Sequence, residues 1–140
     1  MAANAPIRVL LVDDNPRFRA VLRALLERDK AIVVVGEADR GDMIIELAAQ
    51  HEPDVVVMDL SMPGVDGLQA TLALKSHFPG IEVVMLSMSD DADDMASVLA
   101  GGDSAFLNKS TPAADIMRTL KQRSADRQTP GSWVAADANQ

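Results

Sequence analysis

The sequence predicts an open, doubly wound α/β domain with five parallel strands and five helices. Three observations carry that prediction. Short runs of Val, Ile and Leu alternate regularly with longer segments whose apolar residues recur at helical spacing. Strands one, three and four are apolar almost without interruption, as strands covered by helices on both faces must be. A chain of 140 residues, 48% of them hydrophobic, holds enough apolar material for one such core and too little for two comfortable domains.

The elements follow in order. The run "IRVLLV" (7–12) is the first strand. In "RFRAVLRALLERD" (17–29), Phe18, Val21, Leu22, Leu25 and Leu26 fall on one helical face. Asn15 before Pro16 starts that helix, because its side chain caps orphan N–H groups and proline suits the first helical position. "IVVVGE" (32–37) is a strand and 40–51 a helix; "DVVVMD" (54–59) is a strand, followed by a helix over 66–77. "IEVVMLS" (81–87) is the fourth strand, and 91–101 a helix carrying Met95, Val98 and Leu99. "AFL" (105–107) is a short last strand, and "TPAADIMRTLKQR" (111–123) a last helix capped by Thr111. Residues 124–140 lose apolar periodicity, contain Pro130-Gly131, and are expected to form a linker or flexible tail after a domain spanning 1–123. Trp133 is the one residue of that tail with obvious burial value.

Composition narrows the function classes. Cysteine is absent, so neither a disulfide framework nor a thiolate metal site is available, and the chain suits a reducing compartment. The apolar run near the start is too short for a signal-peptide core or a membrane span, so a cytoplasmic protein is expected. Thirteen basic against twenty-one acidic side chains give a formal charge of -8, which works against gripping a nucleic-acid backbone.

The architecture gathers polar residues into a site. In open α/β sheets function collects beyond the carboxyl ends of the strands, where the winding reverses; in the flavodoxin-like order 2-1-3-4-5 that point lies between strands one and three. Asp13 and Asp14 close strand one, Asp59 closes strand three, Ser87 closes strand four, and Lys109 lies just past strand five. Taken singly each is ordinary: a solvated acidic pair, a strand-end hydroxyl, a surface lysine. Together they put three carboxylates, a hydroxyl and an ammonium on one rim. Like charges at such range repel by about 1 kcal/mol per pair in water and roughly 4 at an effective dielectric near 20. A divalent cation relieves this, and hard oxygen donors suit Mg2+. Asp59 then reads as a nucleophile for phosphoryl transfer, with Lys109 neutralising a phosphoryl oxygen. His51 and His77 sit near predicted helix ends and read as structural or solvent-facing.

The segments "LLVDDNP", "PDVVVMDLSMPGVDG", "VVMLS" and "AFLNK", in this order and spacing, resemble the receiver domain of two-component response regulators over roughly residues 7–123. The resemblance implies a CheY-like sheet, Asp59 as phosphoacceptor for a sensor histidine kinase, and Mg2+ held by Asp14, Asp59 and the Ser61 carbonyl, with Asp13 acting through water. It further implies Ser87 and Phe106 as the switch pair and Lys109 as the phosphoryl-binding lysine. The wording is most like regulators with a LuxR-type helix-turn-helix output, which would lie outside this segment, and a homodimer would use the face of the fourth helix, fifth strand and fifth helix. Phe106 lacks a hydroxyl, so a switching role there rests on packing alone.

Two departures stand out. Lys109 is followed by Ser110 and then "TP", where most receivers place proline in a cis peptide; a cis bond before a non-proline costs about 3 kcal/mol, and the sequence leaves the isomer open. Asp103 and Ala105 stand where the family usually has Ala and Gly. These departures keep a second reading in play, a receiver-shaped interaction module held constitutively in one state and not regulated by phosphorylation.

Overall fold

In the computed structural model, which describes residues 5–59, 67–87 and 105–126, five strands form one parallel sheet in the order β2-β1-β3-β4-β5. They are β1 (Ile7–Val12), β2 (Ile32–Ala38), β3 (Val55–Asp59), β4 (Glu82–Ser87) and β5 (Ala105–Asn108). Between them run helices α1 (Pro16–Leu26), α2 (Ile44–His51) and α3 (Gly67–His77), and a C-terminal helix, Ala113–Asp126, follows β5. The strand order is the one expected, with the reversal between β1 and β3. The predicted helix at 91–101 and the tail with Trp133 lie outside the described residues.

Both faces of the sheet are covered. On one, Leu10, Val12, Val56, Met58, Val83 and Met85 pack with Ile44 and Ala48 of α2 and Ala70 and Leu74 of α3. On the other, Val9, Leu11, Val55, Val57, Val84 and Leu86 pack with Leu22 and Leu26 of α1 and Ile116 and Leu120 of the C-terminal helix. Period-2 alternation sends successive strand residues to opposite cores, which is why unbroken apolar runs were needed. Met58 is fully buried in one core while its neighbour Val57 is buried in the other.

Several boundaries differ from the sequence reading for local reasons. Helix α1 begins as expected, with the Asn15 side chain accepting from Arg17 N and Phe18 N, but stops at Leu26 instead of 29. Asp29 ends it: its carboxylate accepts the Ala31 amide at 2.9 Å, turning the chain into β2. The segment predicted as helix from residue 40 opens with a 3-10 turn, Gly41–Met43, before α2. The last helix counts from Ala113, two residues past Thr111, with the Pro112 carbonyl accepting from Asp115 N and Ile116 N. Val21, assigned to the buried face of α1, is 54% exposed; the helix turns Leu22 and Leu26 fully inward, with Phe18 and Leu25 partly covered.

A register shift between β1 and β2 leaves Val35 without a cross-strand partner and sets Gly36 opposite Leu10. A Cβ at Gly36 would lie 3.1 Å from both the His51 ring and the Leu10 side chain, so glycine lets the end of α2 close onto the sheet. Arg8 ties down the same end, donating to the carbonyls of His51 and Glu52. His51 is therefore structural, and His77 is exposed with its ring nitrogen 2.9 Å from the Ala73 carbonyl. Among the described residues no helix is long and apolar enough to cross a membrane.

Leu120 is completely buried where the C-terminal helix meets the sheet. Leu120→Ala is expected to lower the unfolding free energy by about 3 kcal/mol in urea denaturation; a loss under about 0.5 kcal/mol, the range of surface substitutions, would show that the helix is not docked as described.

Candidate functional site: an acidic rim closed by a lysine

The carboxyl ends of β1 and β3 carry the acidic groups. Asp59 is the last residue of β3, where pairing brings it beside Leu86 of β4, and Asp13 follows the last residue of β1, which is itself paired with Met58. Asp13 and Asp59 have the strand parity of Val9, Leu11, Val55 and Val57, on the side of the sheet covered by α1 and the C-terminal helix. Both are buried, at 5% and 3% exposure, whereas Asp14 is exposed. One carboxylate oxygen from each of the three lies within 4.8 Å of the others.

Lys109 closes this cluster. Its ammonium lies 2.8 Å from Asp13 Oδ2 and 3.3 Å from Asp59 Oδ2, and its side chain is only 8% exposed. Burial works against the charged form, but the Asp13 hydrogen bond and charge, followed by the charge and hydrogen bond of Asp59, outweigh it and hold the lysine above its ordinary pKa. The ammonium is therefore a fixed positive charge at neutral pH.

The lysine loop answers the question its sequence raised. No cis peptide occurs among the described residues, so the Lys109-Ser110 bond is trans. In place of a proline constraint, the Asn108 side-chain oxygen accepts from both Ser110 N (2.8 Å) and Ser110 Oγ (2.7 Å), and Thr111 N returns to the Asn108 carbonyl at 2.9 Å. The Lys109 amide donates to the Ser87 carbonyl at 2.7 Å, so β4 anchors the loop directly. Ser87 is itself buried, at 1% exposure.

Asp13 is held at every polar position. Its amide donates to Ala38 O at 3.0 Å and its carbonyl accepts from Arg19 Nη1 at 2.6 Å. Oδ1 accepts from Asn15 N at 2.8 Å, while Oδ2 faces the lysine. Arg19 also pairs with Glu37 of β2 at 2.8 Å, and Arg23 bonds both Glu37 and Glu27. Burial works against ionisation of Glu37, yet the hydrogen bonds from Arg23 and Arg19 outweigh it and hold its carboxyl below the usual glutamate value of 4.5.

Of the residues predicted from sequence, the structure brings together Asp13, Asp14, Asp59 and Lys109, with Ser87 at the adjoining strand end. Ser61 lies outside the described residues, as does the side chain of Phe106, whose backbone forms part of β5. Sequence reasoning missed two participants. Phe18 sits under the lysine, with Nζ 4.5 Å from its ring centroid. Arg19 joins the Asp13 carbonyl to β2. The available signal was their place in the first turn of α1, the helix that starts at the rim.

The donor set fits a hard divalent cation. The cluster offers oxygen alone, two of its carboxylates are buried, and the third is open to solvent, which leaves room for the water that Mg2+ retains. A rim of this kind can hold a cation at carboxylates that also meet an ammonium.

Glu37 provides an acid-range test of the network behind Asp13. A carboxyl whose folded pKa is depressed contributes stability above its unfolded value and loses it as pH falls through the lower folded value. Glu37→Gln is therefore expected to cost about 1 kcal/mol at pH 7, with the gap to the parent closing below pH 4.5 as the parent carboxyl is protonated. Urea denaturation at stepped pH measures this, and a gap that stays constant with pH would contradict the assignment.

Comparison with known proteins agrees with the geometry. The family model described as response regulator receiver domain matches residues 9–121. The chain is 34% identical over 138 residues to the nitrate/nitrite response regulator protein NarL of Escherichia coli, covering 99% of this chain and 62% of that protein. It is 36% identical over 129 residues to the transcriptional regulatory protein LiaR of Bacillus subtilis, covering 92% and 61% respectively. The chain thus spans about three-fifths of the length of these curated relatives. Among solved structures, a LuxR-family two-component response regulator from Aurantimonas superposes with a TM-score of 0.82 at 29% identity, over 89% of each chain.

Proposed function

The chain belongs to the response regulator receiver domain family, a family of signalling switches rather than classical enzymes, and we propose that Asp59 is its phosphoacceptor. The observation that carries this reading is the burial of Asp59 against Asp13 and the Lys109 ammonium, at the winding reversal of the sheet. The donor is the phosphohistidine of a sensor kinase. A carboxylate oxygen of Asp59 attacks phosphorus, an O–P bond forms, and the bond from phosphorus to the imidazole nitrogen breaks. The electron pair leaves with that nitrogen, which then takes a proton.

Asp14 and Asp59, with the Ser61 carbonyl, would hold Mg2+, and Asp13 would act on it through water. When bound, the cation supplies charge neutralisation for the phosphoryl oxygens. Lys109 neutralises another of those oxygens from the opposite flank, exchanging part of its pairing with Asp13 and Asp59 for the incoming anion. Ser87 donates to a third, and Phe106 repacks β5 in response, a local change that biases a global two-state element. An active conformation already present is enriched rather than created.

The proposed readout draws its support from the relatives. NarL and LiaR are longer than this chain, and the Aurantimonas structure is of the LuxR family. The proposed output is transcriptional control in the cytoplasm, through a DNA-binding domain joined by a linker after the C-terminal helix, which runs to Asp126 and so past the expected boundary at 123, and through a homodimer on the face that contains β5 and that helix. The acidic receiver itself does not bind nucleic acid.

Incubation with acetyl phosphate and Mg2+, followed by intact-mass measurement, tests the chemistry. One phosphoryl group is expected on the parent and none on Asp59→Asn or in the presence of excess chelator. A parent that binds Mg2+ and takes up no phosphoryl group would sink the proposal and favour a constitutive interaction module.

A further inference from the structure

Among the described residues the Lys109 ammonium meets three groups. Two are Asp13 Oδ2 at 2.8 Å and Asp59 Oδ2 at 3.3 Å. The third is the face of Phe18, whose centroid is 4.5 Å from Nζ, within the range at which a ring quadrupole attracts a cation. We propose that Phe18 is a positioning residue for Lys109, holding the ammonium at the phosphoryl-receiving edge through its ring face.

Phe18 packs at the margin of the core on this side of the sheet, and local bonds fix its backbone. Phe18 stands in the first turn of α1, and the Asn15 side chain that caps the helix accepts the Phe18 amide at 3.1 Å. Asn15 in turn donates its own amide to Asp13 Oδ1 at 2.8 Å. Asp13 Oδ2 holds Lys109, and Lys109 lies on the ring. The circuit Asp13, Asn15, Phe18, Lys109 and back to Asp13 is closed.

A lysine stem has four rotatable carbons, and its loop lacks the rigid cis-proline anchor. The loop bonds of Asn108 and Ser87 fix the Lys109 backbone but not its ammonium. Contacts to two carboxylate oxygens leave Nζ free to swing about the axis joining them, and a third contact restricts that swing. Positioning of this kind matters to transfer because stabilisation acts only where the charge develops.

The inference rests on the reading of Asp59 as phosphoacceptor, and the test separates the two. Phe18 is replaced by Leu, by Tyr, and site-specifically by mono-, di- and trifluorophenylalanine, which keep ring size while progressively weakening the negative face. Rates of phosphoryl uptake from saturating acetyl phosphate with Mg2+ are compared, with thermal unfolding as a check on folding. The expected result is a stepwise fall along the fluorinated series, about fivefold overall, a similar loss in Leu and retention in Tyr. Equal rates across the fluorinated series, with a parent that does phosphorylate, would overturn the role of Phe18 and leave that of Asp59 intact.

A second measurement needs no phosphorylation. The chain has four lysines, Lys30, Lys75, Lys109 and Lys121, so their ε-methylene resonances are readily resolved with labelled lysine. Ring current from Phe18 should shift those of Lys109 upfield in the parent and not in Phe18→Leu. If the parent accepts no phosphoryl group, the reading of Asp59 fails and this shift alone decides the pairing. Lys109 resonances that coincide with the other three lysines in the parent overturn it.

Discussion

Two carboxylates buried side by side are the constraint around which this molecule is arranged. Asp13 and Asp59 are placed at the ends of adjacent parallel strands, on the same side of the sheet, where water cannot fully solvate either. Leaving such groups ionised and unpaired would cost several kcal/mol. Lys109 offsets part of that cost, and its own burial is tolerable only because the carboxylates are there. Three carboxyl groups facing one ammonium make a rim whose donor oxygens suit a further cation. The apolar sheet makes this standing tension possible: strands buried on both faces cannot shift register to relieve it without exposing a core.

Much of this was legible from sequence because it depends on strand identity and strand ends. Val55 to Met58 are apolar at every position, so Asp59 had to mark a strand terminus and not a surface face. Once the strand order is known, Asp13, Asp14, Asp59, Ser87 and Lys109 fall on one edge. The less legible features depend on helix rotation and local capping. Val21 fits a helical apolar stripe as well as Leu22 does, and only the packing of α1 on the sheet decides which is covered. Phe18 reads as core for the same reason, since a hydrophobic pattern does not reveal that a lysine from a segment about ninety residues later will lie on its ring. Arg19 was hidden because its partners are a backbone carbonyl and a glutamate on another strand. Helix ends were set by single side chains, as at Asp29, which compete with the helix for backbone groups.

The lysine loop shows how a constraint can be redistributed when one residue departs from a family's pattern. With Ser110 in place of proline the peptide is trans, and the turn is closed by the Asn108 side chain on Ser110 and by the Ser87 carbonyl on Lys109. Each neutral hydrogen bond contributes about 1 kcal/mol net, so the several in this loop together are comparable to the restriction a proline would impose. The backbone is thus tied by side-chain and main-chain bonds in place of ring geometry.

The same geometry distinguishes the three aspartates. Asp13 has its amide, carbonyl and both carboxylate oxygens engaged, by Ala38, Arg19, Asn15 and Lys109. Those bonds commit it to the turn that starts α1 and to the lysine. Asp14 is exposed and outside both of those commitments, while Asp59 shares the lysine at the longer distance of 3.3 Å. The proposed division, with Mg2+ held directly by Asp14 and Asp59 and through water by Asp13, draws its support from the bonds that already commit Asp13 and from the exposure of Asp14.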